Sequence, residues 1–141
     1  MKKFELTSET KINIFGKKLF RIKALVSFGV VKTGETGGWV EKEENVNQSG
    51  DAWVFGNAEV FGNARVSGDA DYTTIHGFGT QFRTTTFFRC KDKQVKVSCG
   101  CFYGTIPEFR EQVKNTRDGK IAEEYLMIAD LMEKHFAEEA K

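Results

Sequence analysis

The chain has 141 residues and a formal net charge of +1, a length that fits one compact domain. Because the charge is nearly balanced and the basic blocks are small, binding to duplex nucleic acid is not indicated. No run of about eighteen apolar residues is present, and the basic start lacks the apolar segment of a secretory signal, so no membrane association is indicated. Three cysteines, an odd and sparse set, fit a reducing cytoplasm better than a disulfide framework.

Residues 1–37 are predicted to form an N-terminal β cap. The segment "KINIFGKKLFRIKALVSF" carries two apolar runs separated by Gly16, Lys17 and Lys18, a pattern typical of a β-hairpin. Its apolar side chains are Ile12, Ile14, Leu19, Phe20 and Ile22. We expect them to cover the front end of the segment that follows.

Residues 38–80 contain a six-residue repeat, clearest in "GDAWVFGNAEVFGNARVSGDA" from residue 50 to residue 70. Each unit has an alanine and a valine two positions apart, so a strand directs both to one face, and Gly-Asn or Gly-Asp then turns the chain. The predicted interior positions are Ala52, Val54, Ala58, Val60, Ala64, Val66 and Ala70. A short strand and a corner every six residues predict a parallel β-helix of about two to three triangular coils.

Residues 81–103 are predicted to form a β-hairpin that turns at Asp92 and Lys93. A two-residue loop there pairs Cys90 with Val95, Phe88 with Val97, and Thr86 with Cys99. The other face of the hairpin then carries Arg83, Phe87, Arg89, Lys96 and Ser98. Cys90, Cys99 and Cys101 are interpreted as core thiols, and no metal site is predicted, because paired zinc cysteines stand farther apart and a zinc site needs four ligands.

Residues 104–141 are predicted to form two helices. Thr105 and Glu108 form a capping box at the start of the first helix, whose apolar face continues through Phe109 and Val113. The second helix begins near Lys120, and its apolar positions are Ile121, Tyr125, Ile128, Met132 and Phe136. Its partner is either this chain or the same helix in another subunit. The complete prediction is a single α+β domain, mainly β, in which a short β-helix is closed by two hairpins and two helices.

The repeat also resembles hexapeptide-repeat proteins, in which an aliphatic residue stands four places before a small one, as Val54 stands before Ala58. Phe55, Phe61 and Ser67 depart from that family's pattern, so only the resemblance, not the spacing, supports its left-handed coil. A longer stretch, from "LFRIKAL" through "GGWVE" to "GNARV" over residues 19–70, is similar to small proteins encoded by bacteriophages and prophages. This resemblance implies an accessory phage role in the bacterial cytoplasm, such as blocking a host defence.

Four aromatic side chains are predicted to lie on the outside of the coils: Trp39, Trp53, Phe55 and Phe61. Contiguous exposed aromatics are typical of an interface. They therefore predict a homo-oligomer, a trimer by resemblance to other hexapeptide helices, with a dimer as the alternative. The competing interpretation places Trp53 beneath the N-terminal hairpin.

A basic and aromatic strand face is the candidate ligand site, formed by Arg83, Thr85, Phe87, Arg89 and Lys96. Cationic side chains and hydroxyls bind phosphates, and an aromatic ring stacks on a base, so the ligand class predicted is a nucleotide. The competing interpretation is a solvated strand face.

Three functions follow from these features. The first is a non-enzymatic phage accessory protein that sequesters a nucleotide signal or inhibits a host defence protein. The second is an oligomeric structural module of a phage. The third is an acyltransferase, which hexapeptide resemblance implies and which would use His76 as its base. No catalytic residue, cofactor or metal is predicted under the first function, which ranks highest.

Overall fold

The computed structural model describes residues 2–13, 15–68, 71–79, 83–99 and 102–137. Within them, two four-stranded sheets are followed by two helices. The first sheet contains β1 Phe4–Ile12, β2 Lys18–Ala24, β3 Thr36–Val40 and β4 Glu59–Val60 in that order. The second contains β5 Tyr72–Phe78, β6 Arg83–Arg89, β7 Val95–Cys99 and β8 Phe102–Thr105. The helices are α1 Ile106–Thr116 and α2 Gly119–Phe136.

The N-terminal hairpin is confirmed, because β1 and β2 pair antiparallel from Phe4 opposite Ala24 to Ile12 opposite Lys18. Leu19 and Ile22 are fully buried, as predicted, whereas Ile12 is 71% exposed. The pairing shifts between Leu6 and Thr10, and such a bulge changes which side chains face the core. Ile14 lies outside the described residues.

The predicted β-helix is wrong. Among the described residues, parallel pairing is limited to Trp39 with Glu59, Val40 with Val60, and a single bridge from Val46 to Val66, whereas the other strand pairs are antiparallel. The edges on which further coils would stack are occupied by antiparallel neighbours. On one side β2 pairs with β3, and on the other Ala64 forms an antiparallel bridge with Cys90.

The burial predicted for the repeat is nevertheless confirmed where it can be compared. Ala52, Val54, Ala58, Val60, Ala64 and Val66 are all fully buried, and Ala70 lies outside the described residues. Gly50, Gly56 and Gly62 have positive φ angles of 70°, 58° and 65°, which a glycine adopts without strain. The repeat therefore forms buried short segments separated by tight turns, but these segments share a core with the two sheets.

The second hairpin exists with a register one residue away from the prediction. Arg89 lies opposite Val95, Phe88 opposite Lys96, and Phe87 opposite Val97. The loop has three residues, because Lys93 N donates to Cys90 O at 2.9 Å and Cys90 N donates to Gln94 O at 2.8 Å. Lys93 has a φ of 71°, as in a type I turn followed by a left-handed residue. Phe88 thus packs in the first core and Phe87 in the second.

The two C-terminal helices are confirmed. Thr105 and Glu108 form the capping box, with Glu108 N donating to Thr105 Oγ1 at 3.3 Å and Thr105 N donating to Glu108 Oε1 at 2.8 Å. The predicted apolar faces pack on the second sheet and on each other, since Phe109 of α1 contacts Phe87 of β6 and Tyr125 of α2. Arg110 of α1 joins Asp130 and Glu133 of α2 at 2.9 and 3.1 Å. No helix among the described residues is long and apolar enough to cross a membrane.

Gly37 in β3 lies in close contact with the repeat. A Cβ added at Gly37 would lie 2.6 Å from Val54 O and 2.7 Å from Trp53 Cζ2, whereas one added at Gly68 would meet nothing within 4 Å. We expect Gly37→Ala to lower the free energy of unfolding by about 1–3 kcal/mol through overpacking, and Gly68→Ala to leave it nearly unchanged. Urea unfolding of both variants measures this, and equal stability of the two would contradict the close contact.

Candidate anion-binding cleft

The aromatic interface predicted from the sequence is not assembled on the surface. Trp39, Trp53 and Phe61 are buried, and only Phe55 is exposed. Trp53 packs edge-on against Phe4 of β1 and Phe28, which confirms the competing interpretation that it lies beneath the N-terminal hairpin. The apolar side chains that a solenoid would display are used instead to join this hairpin to the repeat.

Three of the four aromatics predicted to assemble subunits are thus buried within the chain, and the homo-oligomer stays a prediction. Trp39 is covered by cations of the same chain, with Lys11 Nζ 4.5 Å and Arg21 Cζ 4.3 Å from a ring centroid of Trp39. Phe61 packs on Phe88 and Tyr103 of the second sheet. The outward placement of these rings was predicted from the β-helix. Because the β-helix is not formed, that placement is wrong.

The predicted basic and aromatic face is also not one surface. Thr85 and Phe87 are buried, and the Thr85 hydroxyl donates to Cys99 Sγ at 3.1 Å. Lys96 lies on the opposite face of the sheet, 5.8 Å from the ring centroid of Tyr103. Arg83 begins β6, and its side chain lies outside what the structure describes. Of the five, Arg89 is the one that the structure places at a cleft.

That cleft, which we call the basic cleft, lies where the end of the repeat meets the β6–β7 turn. It has a volume of about 420 Å³, and its lining residues are Arg65, Ser67, Asp71, Arg89, Cys90, Lys91 and Lys93. Two backbone hydrogen bonds join its sides, from Arg65 N to Arg89 O and from Lys91 N to Asn63 O, each 2.9 Å long. The cationic side chains thus project from segments that hold each other in place.

Arg89 is fixed in position by both its neighbours and its charge partner. Its Nε donates to Asp71 Oδ1 at 3.1 Å, its Nη2 donates to Phe136 O at 3.0 Å, and its guanidinium lies 5.5 Å from the Phe136 ring centroid. Asp71 Oδ2 in turn accepts from Ser67 N at 2.9 Å and Gly68 N at 3.1 Å. Asp71 therefore balances the charge of Arg89 and holds the backbone of Ser67 and Gly68 beside it.

The remaining cations of the basic cleft are Arg65, Lys91 and Lys93, which are exposed. In the described part of the chain, none of them has a carboxylate within salt-bridge distance. Asp92, on the same turn, directs Oδ1 to Gln94 N at 3.0 Å and does not line the cleft. Among the described residues that line the cleft, four cations thus face one carboxylate, that of Asp71, and an excess of positive charge attracts an anion.

The Cys90 thiol at the edge of this cleft has a raised pKa. Burial, and to a smaller extent the nearby carboxylate of Asp92, raise the pKa of the Cys90 thiol to about 11. Because the thiolate is the reactive form, a thiol with this pKa is inert near neutral pH. Its interpretation as a core thiol agrees with its burial; Cys99 is half-buried, and Cys101 lies outside the described residues.

A second, more apolar cleft adjoins the first. It has a volume of about 470 Å³, shares Arg89 and Lys93 with the basic cleft, and also has Val95, Ile106, Pro107 and Phe136 in its lining. A ligand that spans both clefts would contact cations at one end and apolar side chains at the other.

The candidate base His76 lies away from the two clefts. His76 is exposed on β5, where its Nδ1 lies 3.0 Å from Thr84 Oγ1 of the neighbouring strand, and it does not line either cleft. No cluster of three or more histidine, cysteine, aspartate or glutamate side chains that could bind a metal occurs among residues that the structure describes.

Three cations of the basic cleft do not belong to the ligand site predicted from the sequence: Arg65, Lys91 and Lys93. Arg65 occupies the free position between Ala64 and Val66 of the repeat, which points outward, and the lysines belong to the turn in "CKDK". A three-residue loop would have placed both lysines beside the end of the repeat.

The sequence was compared with models of protein families and with curated proteins, and none of them matches it.

Proposed function

We propose that this protein acts by binding rather than by catalysis, and that it takes up a phosphate-bearing small molecule of the nucleotide class in the basic cleft. The observation that carries the proposal is the convergence of Arg65, Lys91 and Lys93 on a cleft in which Arg89 is already fixed by Asp71. Charge-assisted hydrogen bonds from such groups to phosphate oxygens are among the stronger ones in proteins.

The size and composition of the two clefts support a ligand larger than a bare phosphate. Each volume, about 420 and 470 Å³, falls in the range of small-molecule sites. The shared residues Arg89 and Lys93 lie between a cationic part and an apolar part formed by Val95, Ile106 and Pro107. A nucleotide has two matching parts, since its phosphates are anionic and the flat faces of its base stack on apolar side chains.

The resemblance to phage-encoded proteins gives this binding a biological purpose. A phage accessory protein in the bacterial cytoplasm that sequesters a nucleotide signal would deprive a host defence of its activator. The thiol of Cys90, which stays protonated, and the exposed position of His76 add no reactive group to the cleft, in keeping with a binder.

Binding is tested by isothermal titration calorimetry with inorganic phosphate, pyrophosphate, mononucleotides and cyclic dinucleotides as probes. We expect at least one nucleotide to bind more tightly than phosphate. Lys91→Glu combined with Lys93→Glu should weaken it by about 100-fold or more, because each lost charged hydrogen bond costs about 1.5–3 kcal/mol. Affinity should also fall as salt is added.

The matched control is Lys114→Glu combined with Lys120→Glu, which makes the same change in net charge at exposed helix positions. This control should bind as the unchanged protein does. Equal weakening by the two double variants would show a general charge effect, and absence of binding for every probe would overturn the proposal.

A further inference from the structure

The outward face of α2 carries an apolar pair at its centre. Met127 is 70% exposed and Leu131 is 56% exposed, and the four-residue spacing puts them next to each other on the helix surface. The opposite face of α2, with Tyr125, Ile128 and Met132, is buried against the second sheet and α1. Met127 and Leu131 are therefore not needed for packing within the chain.

Charges of opposite sign flank this pair along the helix. Glu124 stands three residues before Met127, and Lys134 stands three residues after Leu131. The resulting spacing of three, four and three residues is that of a two-helix seam. Asp130 and Glu133, on the flank toward α1, are paired with Arg110, so their charge is compensated within the chain.

We propose that two copies of this chain associate through α2, with the two helices antiparallel about a two-fold axis near Ala129. In this arrangement Met127 packs on the partner's Leu131, and Glu124 lies opposite the partner's Lys134. A two-fold axis repeats each contact, so the surface is complementary to itself. A parallel arrangement would instead bring Glu124 to the partner's Glu124 and Lys134 to the partner's Lys134, which repel.

This interface differs in place from the aromatic surface that the sequence predicted, and it does not depend on ligand binding in the basic cleft. Two apolar side chains from each copy and two ion pairs in all form a small contact. Small interfaces give weak, reversible association, so the dimer should dissociate on dilution.

Sedimentation velocity over a range of concentrations tests the proposal on the full chain. We expect a reversible monomer–dimer equilibrium that Leu131→Glu abolishes. Val30→Glu is the matched control, because Val30 is 83% exposed and lies far along the chain between β2 and β3; this variant should dimerise normally. A second variant, Met127→Ser, and the melting temperature of each protein exclude loss of folding as the cause.

Charge reversal tests the orientation of the helices. Glu124→Lys and Lys134→Glu should each weaken the dimer by about tenfold, which corresponds to about 1.4 kcal/mol, whereas the double variant should recover the original affinity. In a parallel dimer the single changes would only exchange one like-charge contact for another. A chain that stays monomeric up to about 1 mM, the scale of a very weak complex, or a double variant that shows no recovery, would overturn the proposal.

Discussion

Trp53→Ala is expected to lower the free energy of unfolding by about 3–5 kcal/mol, the range for removing a large aromatic side chain from a packed core. Trp53 is 1% exposed, and its ring packs at centroid distances of 6.0 Å on Phe4 and 5.3 Å on Phe28. Its edge also lies against Gly37, which has no side chain to fill the space on that side. Urea unfolding followed by circular dichroism measures the change.

Trp53→Phe serves as the control. Trp53 Nε1 is buried without a hydrogen-bond partner among the described residues, and an unpaired buried donor costs free energy. Phenylalanine loses part of the packing but also removes this donor, so we expect a smaller loss of about 1–2 kcal/mol. If the phenylalanine variant were as unstable as the alanine variant, the orphan donor would not be a burden on the native state.

The helices could be predicted because their signals are local. The capping box at Thr105 and Glu108 and the apolar spacing of Phe109 and Val113 lie within a few residues of one another. These groups satisfy helix-end hydrogen bonds and bury one helix face, whichever sheet the helix covers. The same holds for the N-terminal hairpin, whose strands are joined by a short turn.

The β-helix could not be excluded from the sequence because strand pairing is decided by segments that are distant along the chain. A six-residue period determines which side chains of the repeat point inward, and Val54, Val60 and Val66 are buried as predicted. It does not determine which strand pairs with each edge. Here β2 and the β6–β7 turn occupy those edges, so the repeat makes buried segments without stacking into coils.

The predicted ligand site differs from the structure because the β6–β7 register is shifted by one residue. Because side chains alternate along a strand, one extra residue in the β6–β7 loop exchanges the faces of one strand relative to its partner. Lys96 therefore lies away from Arg89, and Phe87 is buried. The left-handed conformation of Lys93 has no sequence signal such as glycine or asparagine, so the three-residue loop was not favoured over the two-residue one.

Asn45→Ala is the second change for which a large loss of stability is expected, about 3 kcal/mol, because it removes the partners of several buried backbone groups. Asn45 is fully buried. Its Oδ1 accepts from the backbone N of Glu41 and Lys42 at 3.1 and 3.0 Å, and its Nδ2 donates to Gly62 O and Ala64 O at 3.2 and 3.1 Å. One side chain thus joins the segment after β3 to the repeat beside the basic cleft.

Two further variants separate the hydrogen bonds of Asn45 from its volume. Asn47→Ala, at a half-buried position whose Oδ1 accepts from Ser49 N, should cost little.

Asn45→Asp keeps the acceptor but sets a carboxylate oxygen against Gly62 O and Ala64 O, so it should be at least as unstable as alanine at neutral pH. Burial favours the protonated carboxyl in the folded state, and that state then binds the proton more tightly, so this variant should gain stability as the pH falls. Chemical unfolding at several pH values tests this, and a stability difference between Asn45→Asp and Asn45→Ala that stays constant with pH would show that the Asn45 amide is not the link.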